Sequence, residues 1–391
     1  MASGGGGSSS LLWVDKHRPA TLSRLTLHAD LTPRLRLLAS GGDLPHLLFY
    51  GPAGGGKRTR ILALLRELYG PGVERTKIEH RVLKVGSPPR NAEVTTVSSA
   101  YHIEVNASDA GPTADRLVTQ QLVKEIASSS PLSTLVPTGA GGGGGGGSGH
   151  AGAPAGGRPA FKVIVLLDAD LLSRGAQAAL RRTMERYTRT CRLILVADSV
   201  TKVVAPLRSR CLGLRVPAPS PSEMGELLSN VARREGVALP SAVATDLVAA
   251  AGGNARRAVL GLEVAAAAAA AAGVPLSPRH VVRADWQVAA DEAAAQMVRA
   301  QTPESLLVVR SKLYDLLGHA VPADVVLRRL VSELLGRVDQ EHAPAICLWA
   351  ARFDHRLATG AKAVVHLEAF AARFMAIYKQ FLTEQAAMCD S

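Results

Sequence analysis

Cysteine is scarce in this chain. The four present in 391 residues, Cys191, Cys211, Cys347 and Cys389, form no C-x-x-C pair and have no histidine at finger spacing. Neither a zinc site nor a disulfide framework is therefore indicated, and a reducing compartment is the default. Also missing is any run of about 18 consecutive apolar residues, the length a membrane-spanning helix requires. The alanine tract at 265 to 272 reads instead as the end of a helix that begins near Asn254. Met1 to Ser10 is rich in Gly and Ser and carries no basic or apolar block, so it reads as a disordered tail rather than a secretory signal or transit peptide. Acidic residues are outnumbered, 33 against 45 Lys plus Arg, which leaves a net charge of +12. That excess suits a polyanionic partner such as nucleic acid, and equally a generally basic surface.

What is present is organised around Gly51-Pro52-Ala53-Gly54-Gly55-Gly56-Lys57-Arg58-Thr59. It follows the apolar run Leu47 to Tyr50 and precedes Ile61, Leu62, Leu64, Leu65 and Leu68 at helical spacing, the strand, glycine turn and helix that a phosphate loop requires. Gly51, Gly54, Gly55 and Gly56 let backbone N–H groups converge on phosphate, the helix N-terminus adds positive potential, and Lys57 reaches the terminal phosphates. In G-x-x-x-x-G-K-[ST] the eighth residue supplies a hydroxyl to magnesium, and here it is Arg58. Thr59 comes one residue late, rotated about 100° around a helix, so its hydroxyl need not inherit the role.

Further strands are expected at Tyr101 to Val105, Phe161 to Leu167, Arg192 to Ala197 and Leu212 to Val216, with helices at about Ala114 to Ala127 and Gly175 to Tyr187 between them. This alternation predicts an α/β fold with a parallel sheet covered on both faces and a site at the strands' carboxyl ends. Residues 139–157, with seven consecutive glycines, read as a flexible insertion. Pro217 to Pro221 ends the sheet domain, because three prolines in five residues continue neither a helix nor a central strand. Helical patterns follow at about Ser222 to Glu235, Ser241 to Ala251 and Asn254 to Ala272. A second helical block begins near Asp285, with Thr302-Pro303-Glu304 as a clear start signal. No catalytic constellation appears in that block, which reads as a packing or oligomerisation module.

A phosphate-loop ATPase ordinarily carries one carboxylate for the magnesium shell and a second, usually Glu, for the attacking water. Here the strand ends Leu167-Asp168-Ala169-Asp170. If Asp168 is the metal-side acid, Ala169 stands where the base belongs. If Asp170 sets the register, Leu167 replaces the metal-side acid and Asp168 replaces Glu. Either register lacks a carboxylate, and an acidic turn capping the helix from Ser173 is the plain structural alternative.

The ordered set Trp13 to Pro19, the loop at Gly51 to Thr59, Val105 to Asp109, Leu180 to Glu185, Ser209-Arg210-Cys211 and Gly253 to Ala258 resembles small subunits of replication factor C, the eukaryotic sliding-clamp loader. The resemblance runs from about Leu11 to Lys379, excluding the glycine insertion. The loop ending Gly-Lys-Arg-Thr and the stretch at 68 to 74 are most similar to the subunit 3 branch. The resemblance implies an AAA+ nucleotide-binding domain at 11–217 with a parallel sheet, a small helical lid domain at 218–283 and an all-α collar domain at 284–391. It implies ATP or ADP as the bound nucleotide, with magnesium in doubt. Trp13, Val14, Arg18 and Pro19 would lie against adenine and ribose, Lys57 would hold phosphate, and Arg256 resembles the lid's sensor arginine. Arg210 would be an arginine finger acting in trans, a task for which an always-charged, forked cation is suited. Asp198 stands where an asparagine usually orients the attacking water. With Arg58 and Asp168 it makes a third departure, so poor hydrolysis at this chain's own site is expected.

For DNA, Arg116 and Lys124 are the candidates, followed by Arg181 and Arg182, which also suit a neighbouring subunit. The implied partners are one large and three other small subunits, the sliding clamp and primer-template DNA bound without sequence preference. The nucleus is the implied location, with no membrane role. Two alternatives stand beside this reading: a self-sufficient AAA+ ATPase using Asp168 or Asp170, and a small subunit shared with loaders for checkpoint signalling or cohesion.

Overall fold

The computed structural model describes residues 11–85, 90–106, 115–128, 161–188 and 190–389. The tail at 1–10, the insertion at 139–157 and the motif residues Ala107, Ser108 and Asp109 lie outside the described residues. Two compact units part between Val281 and Val282.

The first unit opens with a one-turn helix α1 (Trp13–Lys16) and a longer α2 (Leu31–Ser40), then strand β1 (Leu47–Tyr50) and helix α3 (Lys57–Tyr69). Next come β2 (Lys77–Val85), β3 (Arg90–Ser98), β4 (His102–Asn106) and α4 (Asp115–Ser128). The sheet is completed by β5 (Lys162–Leu167), α5 (Arg174–Arg186), β6 (Cys191–Ala197), a short α6 (Ala205–Arg208) and β7 (Leu212–Arg215). Strand order is β2-β3-β4-β5-β6-β1-β7. The pairings among β4, β5, β6, β1 and β7 are all parallel. Period-two side-chain alternation explains why both faces are covered. Leu47, Phe49, Val163, Val165, Ile194 and Val196 pack against α2 and α3. Leu48, Ile164, Leu166, Leu193, Leu195 and Ala197 pack with Ala176, Leu180 and Met184 of α5.

The sheet is mostly parallel, as expected, and carries in addition two strands not foreseen from the sequence. β2 and β3 form an antiparallel hairpin, and β3 also runs antiparallel to β4. β2 carries Lys77, Glu79, His80, Arg81 and Lys84 among its nine residues. Its Ile78 and Val82 are exposed, so an outer strand with no dry face writes no apolar alternation into its sequence.

A helical trio follows within the same unit: α7 (Pro221–Arg234), α8 (Ser241–Ala251) and α9 (Ala255–Ala272). Ser220 and Glu223 form a reciprocal capping box at the start of α7, and Asn254 caps α9 by accepting from Arg257 N. Met224, Leu228, Val243, Leu247, Val259 and Leu262 make the trio's core.

The second unit is all helix: α10 (Asp285–Arg299), α11 (Pro303–Gly318), α12 (Ala323–Leu335), α13 (Ala343–Thr359) and α14 (Ala363–Cys389). Thr302 caps α11 through Ser305 N with Pro303 first in the helix, as its residues predict. Met297, Leu313, Leu330, Phe353, Phe370 and Phe374 fill the interior.

Candidate functional site: a glycine-loop cavity at the strand ends

Gly51 leaves β1 with φ +142°, where an added Cβ would sit 1.9 Å from Val216 O. Only glycine lets the loop pass that close to the neighbouring chain. Gly56, at φ +88°, turns the chain into α3, so Lys57 begins a helix whose first N–H groups face the loop. Lys57 Nζ donates to Gly51 O (2.6 Å), Pro52 O (3.1 Å) and Asp198 Oδ1 (2.5 Å). Beneath, the buried Arg60 guanidinium donates to Gly55 O (3.1 Å), Gly56 O (3.3 Å) and Leu27 O (2.6 Å). Those bonds hold the loop carbonyls inward. Burial pulls the Arg60 pKa down to about 10, countered by the Glu223 charge, so it stays cationic at neutral pH.

A cavity of about 410 Å³ opens above this loop. Trp13, Val14, Arg18, Pro19, Gly54, Gly56, Lys57, Arg58, Thr59, Asp168 and Arg256 all line it. Residues separated by more than two hundred positions therefore meet at one place. Gly51 and Gly55 shape the loop without lining the cavity. The N-terminal segment is tied to the helical trio: Trp13 N donates to Glu263 Oε2 (3.0 Å), Lys16 pairs with Glu235 at 2.8 Å, and His17 bonds the same carboxylate. Arg18 pairs with Asp15 at 3.1 Å. Its pKa is pulled down mainly by burial, with Arg58 and Arg256 adding repulsion against the opposing pull of Asp15. Three guanidinium groups thus share the cavity's electrostatics, the condition under which a polyanion is stabilised.

The acidic strand end divides its roles. Asp168 lines the cavity with φ +48°, a left-handed conformation that among non-glycine residues is taken mostly by asparagine, aspartate and histidine. Asp170 is directed elsewhere, its carboxylate accepting from Asp198 N and Ser199 N at 3.3 Å each. Ser173 itself caps α5, its hydroxyl accepting from Ala176 N. Arg58 has a partner of its own: its Nη2 donates at 2.5 Å to Oε2 of Glu104, a β4 carboxylate whose side chain is 2% exposed.

The remaining candidates lie away from the cavity lining. Arg210, between α6 and β7, donates through Nε to Glu185 Oε1 at 2.9 Å and through Nη1 to Pro206 O at 2.9 Å. Those bonds, Arg210's first, hold the Glu185 carboxyl below its ordinary range. Arg181 approaches the same Glu185 at 3.5 Å, and Arg181 and Arg182 are exposed on α5. Arg116 and Lys124 are exposed on α4. The starts of α4 and α5 are joined where buried Asp115 accepts from Ser173 N (2.6 Å) and Ser173 Oγ (3.1 Å).

A family model described as replication factor C subunit 3, C-terminal domain, matches residues 286–382. Replication factor C subunit 3 of Mus musculus is 44% identical over 374 residues, covering 95% of this chain and 98% of the relative. Replication factor C subunit 5 of Schizosaccharomyces pombe is 38% identical over 376 residues, covering 94% and 97%. The chain belongs to the replication factor C subunit 3/5 family. Among solved structures, a point-mutant form of RuvB from Thermotoga maritima has a TM-score of 0.49 at 14% identity, covering 83% of this chain and 91% of its own.

In this replication factor C chain several cavity residues escaped sequence reasoning. Asn254 lies beside the loop, where a Cβ on Gly54 would fall 1.9 Å from its Oδ1, and Ala255 N donates to Gly54 O at 3.3 Å. Thr26, Leu27, Leu227, Val231 and Val259 also line the cavity. Leu227 and Val231 sit one helical turn apart on α7, a pattern indistinguishable in sequence from ordinary core. Glu104 left one legible trace, a lone carboxylate inside an apolar strand.

Proposed function

We propose that this chain is a nucleotide-holding subunit of a pentameric clamp loader, which opens a ring clamp and sets it on primer-template DNA in the nucleus. The observation that carries the reading is the single cavity uniting Lys57, the Trp13 to Pro19 segment and Arg256. Its apolar wall suits a base, with Val14, Leu227, Val231 and Val259 on one side, and its cationic floor suits a phosphate chain. In this reading Lys57 and the loop amides hold the phosphates, Trp13, Val14 and Pro19 flank the base, and Arg18 and Arg256 tie phosphate to the helical trio. Turnover at this chain's own site is weak. Ala169 offers no base, Asp170 is committed to backbone, and Arg58 removes the metal-side hydroxyl.

Catalytic weight then falls on Arg210, presented at the protein's surface and preset by Glu185 for ATP held by a neighbouring small subunit. Arg116 and Lys124, with Arg181 and Arg182 beside the finger, suit duplex phosphates, and no base-reading element is involved. The five helices of the 284–391 collar domain serve assembly with the large and other small subunits.

Reconstitution tests both halves. Lys57→Ala is expected to abolish nucleotide binding by the purified chain, while Arg210→Ala in the assembled complex lowers ATP turnover and clamp loading. Unchanged turnover and loading with Arg210→Ala would remove the finger assignment, and undiminished binding with Lys57→Ala would remove the nucleotide site.

A further inference from the structure

A phosphate loop normally pairs its lysine with a hydroxyl, and the hydroxyl anchors a divalent cation against the terminal phosphates. Here that position holds a guanidinium, and its surroundings show that the group is built in. Arg58 follows Lys57 at the start of α3 and lines the cavity. Its other end is fixed by Glu104, whose buried carboxylate receives the 2.5 Å bond. Glu104 Oε1 and Arg58 Nε are buried and have no hydrogen-bond partner, so the Glu104 end of the pair is dry while 41% of the Arg58 side chain stays exposed toward the cavity side. His102 Nε2 lies at 4.0 Å from Glu104, and burial, the largest influence on that imidazole, favours its neutral form. Arg58 is therefore the charge that balances Glu104.

We propose that Arg58, anchored by Glu104, occupies the place and electrostatic role of the magnesium ion, so that this site takes a nucleoside di- or triphosphate free of metal. The proposal rests on the nucleotide reading above. The residues present do not fit a metal shell: Arg58 stands where the hydroxyl belongs and repels a second cation there, Thr59 comes one residue late around the helix, Asp198 is paired with Lys57, and Asp170 is spent on Asp198 N and Ser199 N, which leaves Asp168 as the one carboxylate of the 168–170 turn in the lining. They do fit an uncomplexed phosphate chain. Arg18, the adjacent Lys57 and Arg58, and Arg256 converge from three segments, and a free nucleotide brings more negative charge to them than its magnesium complex. A guanidinium gives planar, forked contacts with phosphate oxygens and, unlike a metal, arrives already covalently positioned.

Calorimetric titration of the purified full-length chain with ADP and with ATP decides this, in excess EDTA and again in excess Mg2+. Affinity in EDTA is expected to equal or exceed that in Mg2+, within about threefold. A weakening of about tenfold or more in EDTA overturns the proposal while leaving the nucleotide site intact. Absence of binding under both conditions instead overturns the nucleotide reading itself. The variant R58T/E104Q restores the hydroxyl without stranding a buried charge. It is expected to lose at least about tenfold in EDTA and to regain affinity with Mg2+. If it binds both nucleotides in EDTA as tightly as the natural chain, Arg58 is a strut between α3 and β4 and the proposal fails. The comparison in the natural chain needs no substitution, so the answer does not depend on the variant's folding.

Discussion

Lys57 is already neutralised within the protein. Asp198 holds its ammonium at 2.5 Å, so a phosphate chain entering the loop competes with a carboxylate whose side chain is 54% exposed. That exposure moderates the competition, because a solvated ion pair contributes little. Asp198→Asn is expected to tighten nucleotide binding by about two- to fivefold, measured by displacement of a fluorescent nucleotide. Unchanged or weaker binding would mean that Asp198 orients Lys57 instead of competing for it. At this scale the sequence was informative about anomalies and silent about their partners. Arg58 and Asp198 were visible as departures from a spacing rule. Their partners, Glu104 and Lys57, lie 46 and 141 positions away, and only the strand order brings them together.

Between elements, the decisive contact joins the glycine loop to the start of α9. Gly54 has φ +76°, and Asn254 fills the space a side chain would need. Gly54→Ala therefore forces a left-handed alanine and displaces the cap of α9 as well. The expected cost is about 2–3 kcal/mol, read from urea unfolding. Gly42→Ala is the control, since Gly42 has φ +71° with nothing within 4 Å of its added Cβ; backbone strain alone is expected to cost about 1 kcal/mol. Equal losses for the two would show that the loop and α9 are not packed tightly together. The parallel strands and the helices around them were legible because buried faces impose periods of two and 3.6. The β2–β3 hairpin was not, because its outer strand faces solvent with Ile78 and Val82 and breaks the rule on which strand recognition relies. The convergence of the Trp13 segment and α9 on one cavity could be foreseen only by resemblance, since nothing in either stretch names the other.

For the molecule as a whole, three histidines in the first unit make stability depend on pH. Burial is the foremost cause that lowers the pKa of His28, His46 and His102 from the ordinary 6.5. His46 shows why: its Nδ1 accepts from Leu193 N at 3.0 Å, a bond that a protonated ring cannot accept. An unfolded chain takes up protons near 6.5 while the folded one resists to lower pH, so stability is full above that value and declines as pH falls toward the folded pKa values. The urea midpoint is expected to drop between about pH 7 and about pH 5.5. A flat or rising midpoint would contradict the buried neutral assignment. Thiol chemistry is muted in the same interior, where burial raises Cys191 and Cys211 to about 11.

The pairing of Arg58 with Glu104 also couples the two positions energetically. A single change of Arg58 to threonine would leave a carboxylate sealed in the sheet without its counter-ion, at a cost of about 3–5 kcal/mol. A single change of Glu104 would leave the arginine without its anchor. A stable hydroxyl form therefore needs both substitutions together, because either one alone leaves half of the pair unmatched.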